Sequence, residues 1–331
     1  MNTHTVVRSY LTPPALVAKD NPLFVLARQS KRPPHIILVL GLSVVVFVGI
    51  VLGNIVGEYL GAIVLPRLLP DGPAKVVGTP LWSGVARLLQ LMIGFAPTYI
   101  ILGYWVTRVE QRPFWSLGFP RVYAWQSYLR GLLLGLTLVC GGISAAAAFG
   151  FIRFEAGPST MQGVTALGGV LLVLVGWLFQ GAAEEIFCRG WILQSVGARY
   201  RPWVAVWVSS LIFTTIHGLN PNQSMIALIN GLLFGLFTAL YAITEGSLWG
   251  VCAYHGIWNW AMGNLLGLDV SGGSVGGGTL INLNATGPDW LAGGAFGPEG
   301  GLVVTFIHLV SIGLVVIWRR RRIAAELRMN H

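Results

Sequence analysis

Three short segments carry side chains able to do acid–base or metal chemistry within otherwise apolar sequence. They are Glu184-Glu185 with Arg189, Phe213 with His217, and His255 with Asn259. An ionisable group placed in lipid is costly, so each is a functional candidate by default. On a helix, Glu185 and Arg189 are spaced i,i+4 with the acid first, the favourable order for an ion pair. Arg189 can therefore neutralise Glu185 from within its own helix. Glu184 is turned about 100° away and has no cation at that spacing. It must meet a partner on another helix or take up a proton. A carboxylate in that position is suited to act as a general base. The same Glu-Glu-Arg cluster could instead only staple helices, although one acid would suffice for that.

The turn between the helices bearing Glu184 and His217 falls near Tyr200-Arg201-Pro202. Glu184 lies 17 residues before Arg201 and His217 lies 16 after it. In an antiparallel hairpin, equal distances from the turn mean equal depth, here ~25 Å along the helices. The spacing thus predicts a carboxylate beside an imidazole. His255 and Asn259 share a helix face at i,i+4, and a buried amide needs partners. Their distance from the turn near Gly246 fits that depth poorly. Two histidines and a glutamate (Glu184, His217, His255) also make a His₂Glu donor set with an open position for water, and zinc is the metal that would suit it. The HExxH helix is absent, and no GxSxG elbow between a strand and a helix presents a serine. Cys188 and Cys252 lie near the polar residues, but a Cys–His nucleophile lacks an evident third group to orient it. With Cys140 they form a scattered, odd set without CxxC spacing, which reads as small buried hydrophobes.

The elements that must position these groups are membrane helices. Hydrophobic residues make up 54% of the 331 and charged residues 10%, against about 25% charged in a soluble domain. Such a surface must be buried in lipid. By the yardstick of about 20 apolar residues per span, eight candidates appear: Ile36–Leu65, Trp82–Thr107, Ser127–Phe151, Val164–Gly197, Trp203–His217, Met225–Thr244, Leu248–Leu266 and Leu302–Trp318. The fourth is too long for a simple span and the fifth is short. The expected fold is an all-α polytopic bundle, residues 36–320, with its polar core at about 164–266. A cytoplasmic arm (1–35) precedes it and a basic cytoplasmic tail (321–331) follows. No signal peptide is expected, because mixed and polar residues precede the first apolar run.

The net charge of +9 sits at the ends of apolar runs and not on one face, which argues against nucleic acid. With the N-terminus inside, the inner segments hold Arg8, Lys19, Arg28, Lys31, Arg32, Arg108, Arg112, Arg121, Arg130, Arg199, Arg201, Arg319 to Arg322 and Arg328. The outer side holds only Arg67, Lys75, Arg87 and Arg153. The positive-inside rule then places both termini in the cytoplasm of a cell-membrane protein. The Gly-rich stretch 267–301 carries no Lys or Arg and reads as a flexible external loop. Arg319 to Arg322 read as an anchor against anionic lipid.

The three motifs, in this order on successive membrane helices, resemble the CPBP family, the CAAX proteases and bacteriocin-processing enzymes formerly called Abi. The family pattern is EExxxR, FxxxH and HxxxN or HxxxD, matched here by Glu184-Glu185 with Arg189, Phe213 with His217, and His255 with Asn259. Arg112 to Phe119 and Gly246 to Trp249 are softer points of likeness, and the strong likeness covers roughly Leu178 to Asn264. The resemblance implies an intramembrane endopeptidase acting on a membrane-associated, in some members lipidated, peptide or protein from the cytoplasmic side. It implies that Glu184 and His255 activate a water, that His217 and Asn259 stabilise the oxyanion, and that Arg189 with Glu185 supports the site. It leaves open whether the enzyme is a metalloprotease or a metal-free glutamate hydrolase. Two other functions stay open: a non-catalytic scaffold or immunity protein of the same fold, and a proton- or ion-coupled transporter.

Overall fold

The computed structural model describes residues 16–67 and 78–329. Part of the expected N-terminal arm, the end of the tail and Lys75 lie outside them. The chain is mostly helical. Short α1 (Pro22–Arg28) precedes α2 (Ile36–Tyr59), α3 (Pro80–Tyr104), α4 (Ala124–Ala148) and α5 (Leu167–Glu185). Then come α6 (Gln194–Arg199), α7 (Pro202–His217), α8 (Met225–Glu245), α9 (Trp249–Trp260) and α10 (Leu302–Met329). Helix starts follow local chemistry. The side chains of His35, Thr79 and Ser224 accept first-turn amides of α2, α3 and α8, and prolines open α1, α3 and α7, where a missing N–H costs nothing.

Six helical stretches among the described residues are long and apolar enough to cross a membrane: Ile36–Tyr59, Pro80–Val109, Ala124–Ala148, Gly163–Arg199, Met225–Glu245 and Leu302–Ala325. Of the eight expected spans, the fifth is a shorter apolar helix, α7. The seventh is α9 continued by the π-wound turn Ala261–Leu265. The long fourth span is continuous through one of four π-wound stretches among the described residues, Ile186–Leu193, which joins α5 to α6 directly after Glu184 and Glu185. Wide turns of this kind occur chiefly at functional sites.

Helix α2 packs along α3, α3 on α5, and α5 on α9, which in turn lies against α4; α8 packs between α7 and α10. Half of the α5 span and 61% of the α8 span are buried, against 22% of α2; with α9, buried from Gly250 to Asn259, they are inner helices. Where α5 crosses α9 the backbones nearly touch. A Cβ on Gly181 would sit 2.6 Å from Gly256 N, and one on Gly256 2.7 Å from Leu178 Cα. That approach brings the α9 side chains up to the end of α5.

The stretch 267–301 is not the flexible segment its composition suggested. Asn264 Nδ2 donates to Gly276 O and Gly278 O, Asn230 Nδ2 to Glu299 O and Gly301 O, and Asn222 Nδ2 to Gly272 O and Ala295 O. Strand β1 (Ile152–Phe154) pairs antiparallel with β2 (Leu283–Ala285). Amide side chains on neighbouring helices and on the turn between α7 and α8 hold the glycine-rich backbone through its own carbonyls, which hydropathy cannot show.

Candidate active site

Glu184 stands in the last turn of α5, His217 ends α7 and His255 lies mid-way along α9. The hairpin estimate of equal depth holds: Glu184 Oε2 is 3.5 Å from His217 Nε2 and 3.7 Å from His255 Nε2. His255 reaches the same level although its distance from the turn near Gly246 suggested otherwise, because the Gly181–Gly256 contact draws α9 against α5.

Each imidazole is oriented by its other nitrogen. His217 Nδ1 donates to Phe213 O at 2.9 Å, since a carbonyl can only accept. His255 Nδ1 bonds Glu185 Oε1 at 2.8 Å. In the neutral ring, both Nε2 atoms therefore carry a lone pair and face Glu184. Glu185 also holds Arg189, Nη1 to Oε1 at 3.2 Å, and Arg189 Nη2 donates to Gly235 O. Glu185 and Arg189 are fully buried, whereas 13% of the Glu184 side chain and 20% of His217 remain exposed. The first pair is closed and the second opens to a cavity.

Aromatic rings set the walls. Phe213 stacks on His217 with centroids 4.1 Å apart, and the Arg189 guanidinium carbon lies 4.7 Å from the centre of the same ring. Such a cation–π contact favours the buried charge. Phe234 meets His255 edge-on at 4.9 Å. The phenylalanine four residues before His217 thus holds both the imidazole and the guanidinium.

Asn259 is not in direct contact with Glu184. Its Nδ2 donates to Gln180 Oε1 at 2.9 Å, and Gln180 Nε2 donates to Glu184 Oε1 at 2.6 Å. Gln180 was missed from the sequence. Its only signal was a glutamine one helical turn before Glu184 inside an apolar run. Glu184 Oε2 has no hydrogen-bond donor, being too far from either histidine for a direct bond. The four residues Glu184, His217, His255 and Asn259 share the lining of one cleft of about 610 Å³.

Cys188 and Cys252 are buried and free. Gly272, Ser274 and Gly276 do spell GxSxG in the stretch 267–301, but outside any strand-to-helix turn. The donor types of Glu184, His217 and His255 suit zinc, yet among the described residues no three such side chains are gathered closely enough to hold a metal ion. The reaction below routes no step through one.

Residues 165–261 match the family model described as Type II CAAX prenyl endopeptidase Rce1-like. The Rce1-like segment is less than a third of the chain, and it carries all three motifs, Gln180 and the π-wound turn. No curated protein matches significantly. The resemblance read from the motifs is thereby supported over this segment, and with it an intramembrane protease of CAAX type acting on a peptide or protein substrate in a membrane.

Proposed function

We propose that the protein is a multi-pass cell-membrane endopeptidase with cytoplasmic termini, in which Glu184 activates a water for attack on a peptide carbonyl. The observation that carries this is the buried, undonated Glu184 Oε2, level with two oriented imidazoles, on a side chain that lines a cleft. A water bridging Glu184 Oε2 and His255 Nε2 gives a proton to the carboxylate as its oxygen attacks the carbonyl carbon. His255 is kept in the accepting tautomer by Glu185. The second N–H of Asn259, and His217 Nε2 when that ring carries both protons, are the donors for the developing oxyanion. Such donors act strongly in a dry site. Collapse of the tetrahedral species breaks the C–N bond, the electron pair stays on nitrogen, and Glu184 returns its proton to the leaving amine.

Glu184→Gln keeps the shape and removes the base. Cross-linked in membranes, this variant is expected to retain substrate that the wild type converts to two products by mass spectrometry. Turnover at wild-type rate in Glu184→Gln would refute the hydrolase and favour a scaffold. Flux in proteoliposomes without peptide products would favour a transporter.

Zinc held by Glu184, His217 and His255 is a second reading; it needs the three side chains to draw closer than they stand, and the two Nε2 lone pairs support it. Each Nδ1 is already engaged by an oxygen, as is usual for metal-bound histidines. Turnover that survives chelation and dialysis to zinc-free protein supports the metal-free route. Loss restored by zinc alone overturns it.

A further inference from the structure

The side of the membrane from which the cleft is entered can be read from two ends of the bundle that differ in charge and in closure. One end gathers residues 109–124, 199–202 and 245–249 with α1 and the end of α10. Among the described residues it carries Lys19, Arg28, Lys31, Arg32, Arg108, Arg112, Arg121, Arg130, Arg199, Arg201, Arg319 to Arg322 and Arg328. The other end gathers the end of α2, the starts of α3 and α5, residues 218–224 and residues 266–301. It carries Arg67, Arg87 and Arg153, with Glu58, Glu155, Asp269, Asp289 and Glu299. Short loops rich in Lys and Arg stay in the cytoplasm.

The cleft belongs to the basic-poor end. Its lining at that end includes Glu58 at the end of α2, Leu219, Asn220 and Gln223 after α7, and Ser271 of the stretch 267–301. No residue of 109–124, 199–202 or 245–249 lines it. The basic end is sealed. Leu23 and Phe24 of α1 are fully buried, with the Phe24 ring against Gly197 where no Cβ could fit. Asn21 Nδ2 donates to Ile243 O at 2.8 Å. Behind this wedge lie Leu117, Trp191 and Leu248, all fully buried.

We infer that the cleft opens on the non-cytoplasmic face, so that the substrate is a membrane-anchored peptide or protein segment whose scissile bond is presented outside the cytoplasm. This replaces the expectation of cleavage from the cytoplasmic side. The word substrate rests on the proposed hydrolase; the side of the opening does not.

Leu219, 71% exposed at the rim, and Arg201, exposed at the basic end, allow a test in the full-length protein. A membrane-impermeant maleimide applied to intact spheroplasts is expected to label Leu219→Cys above the wild-type background and to leave Arg201→Cys unlabelled until the membrane is permeabilised. Labelling of Leu219→Cys only after permeabilisation overturns the inference. A paired assay uses a single-span reporter with its cleavable segment on either side of the membrane. Cleavage of the outer version alone, abolished by Glu184→Gln, is the expected result; cleavage of the inner version overturns the inference. Correct labelling with neither reporter cleaved leaves the orientation standing and counts against the protease.

Discussion

Two buried clusters in this bundle use the same three residue types, Glu, Arg and Gln, and differ in one respect. In the cluster at the basic end, Glu110 Oε1 accepts from Trp191 Nε1 at 2.7 Å and Trp105 Nε1 at 3.0 Å, and Oε2 accepts from Arg112 Nε at 2.7 Å. Arg112 Nη1 donates onward to Ser116 and Gln194. Donors are left over (Arg112 Nη2 and Gln194 Nε2) but no carboxylate oxygen is. In the cluster at the cleft, Glu184 receives one donor, from Gln180, and its other oxygen lies buried beside two imidazoles with no donor at all. A carboxylate saturated by donors is a fixture of the fold. One left short, in a cleft, has lone pairs for a water or a substrate. The contrast matters because an unmade bond to a buried charge is expensive and persists where the surroundings enforce it.

The comparison is broken most directly by a matched pair of variants. Glu184→Gln is expected to lower kcat about 10²- to 10⁴-fold, the usual share of a general base, while thermal unfolding in detergent stays near wild type. Glu110→Gln is expected to do the reverse. It leaves Arg112 buried without its counter-charge, a loss of about 3–5 kcal/mol, seen as a large fall in Tm with kcat per folded molecule retained. If Glu184→Gln unfolds the protein, or Glu110→Gln removes turnover from folded protein, the division between the two clusters is wrong. Glu185→Gln should show both effects in smaller measure. It weakens the charged hydrogen bond that orients His255, lowering kcat about 10- to 100-fold, and also frees Arg189, lowering Tm. An effect on kcat alone would mean that Glu185 contributes nothing to holding α5 and α9 together.

The residues that oppose lipid were the ones readable beforehand. A charge in an apolar run stands out, so the two glutamates, Arg189 and both histidines were found. Equal spacing about Arg201 was enough to place Glu184 beside His217. Span limits followed from hydropathy: α8 ends at Glu245, one residue from its expected boundary. The parts that escaped are those whose meaning depends on a distant partner. Gln180 is neutral and unremarkable until Asn259 and Glu184 flank it. The π-wound turn after Glu185 leaves no trace in periodicity. The residues before α2 looked like a solvent-borne arm, because the burial of Leu23 and Phe24 is supplied by Gly197, Gly118 and the end of α8, far along the chain. Glycine-rich composition suggested motion for 267–301, whereas order there comes from Asn222, Asn230 and Asn264 on neighbouring elements.

The finest test concerns the two glutamines, of which Gln180 donates to the carboxylate of its cluster and Gln194 accepts from the guanidinium of its own. Gln180 acts through Glu184: its amide fixes one carboxylate oxygen and leaves the other directed at the histidines, and it ties Asn259 to the same network. A hydrogen bond to a carboxylate contributes about 1.5–3 kcal/mol net, so Gln180→Leu is expected to lower kcat about 10- to 100-fold with KM and Tm little changed. A packing role would instead move Tm and leave kcat per folded molecule alone. Gln194 serves Arg112, which is already held by Glu110. Gln194→Leu is expected to shift stability by about 1–3 kcal/mol and turnover not at all. Should Gln180→Leu lower KM and kcat together, the amide would be contacting substrate directly, and the relay from Asn259 to Glu184 would belong to the binding cleft and not to the base.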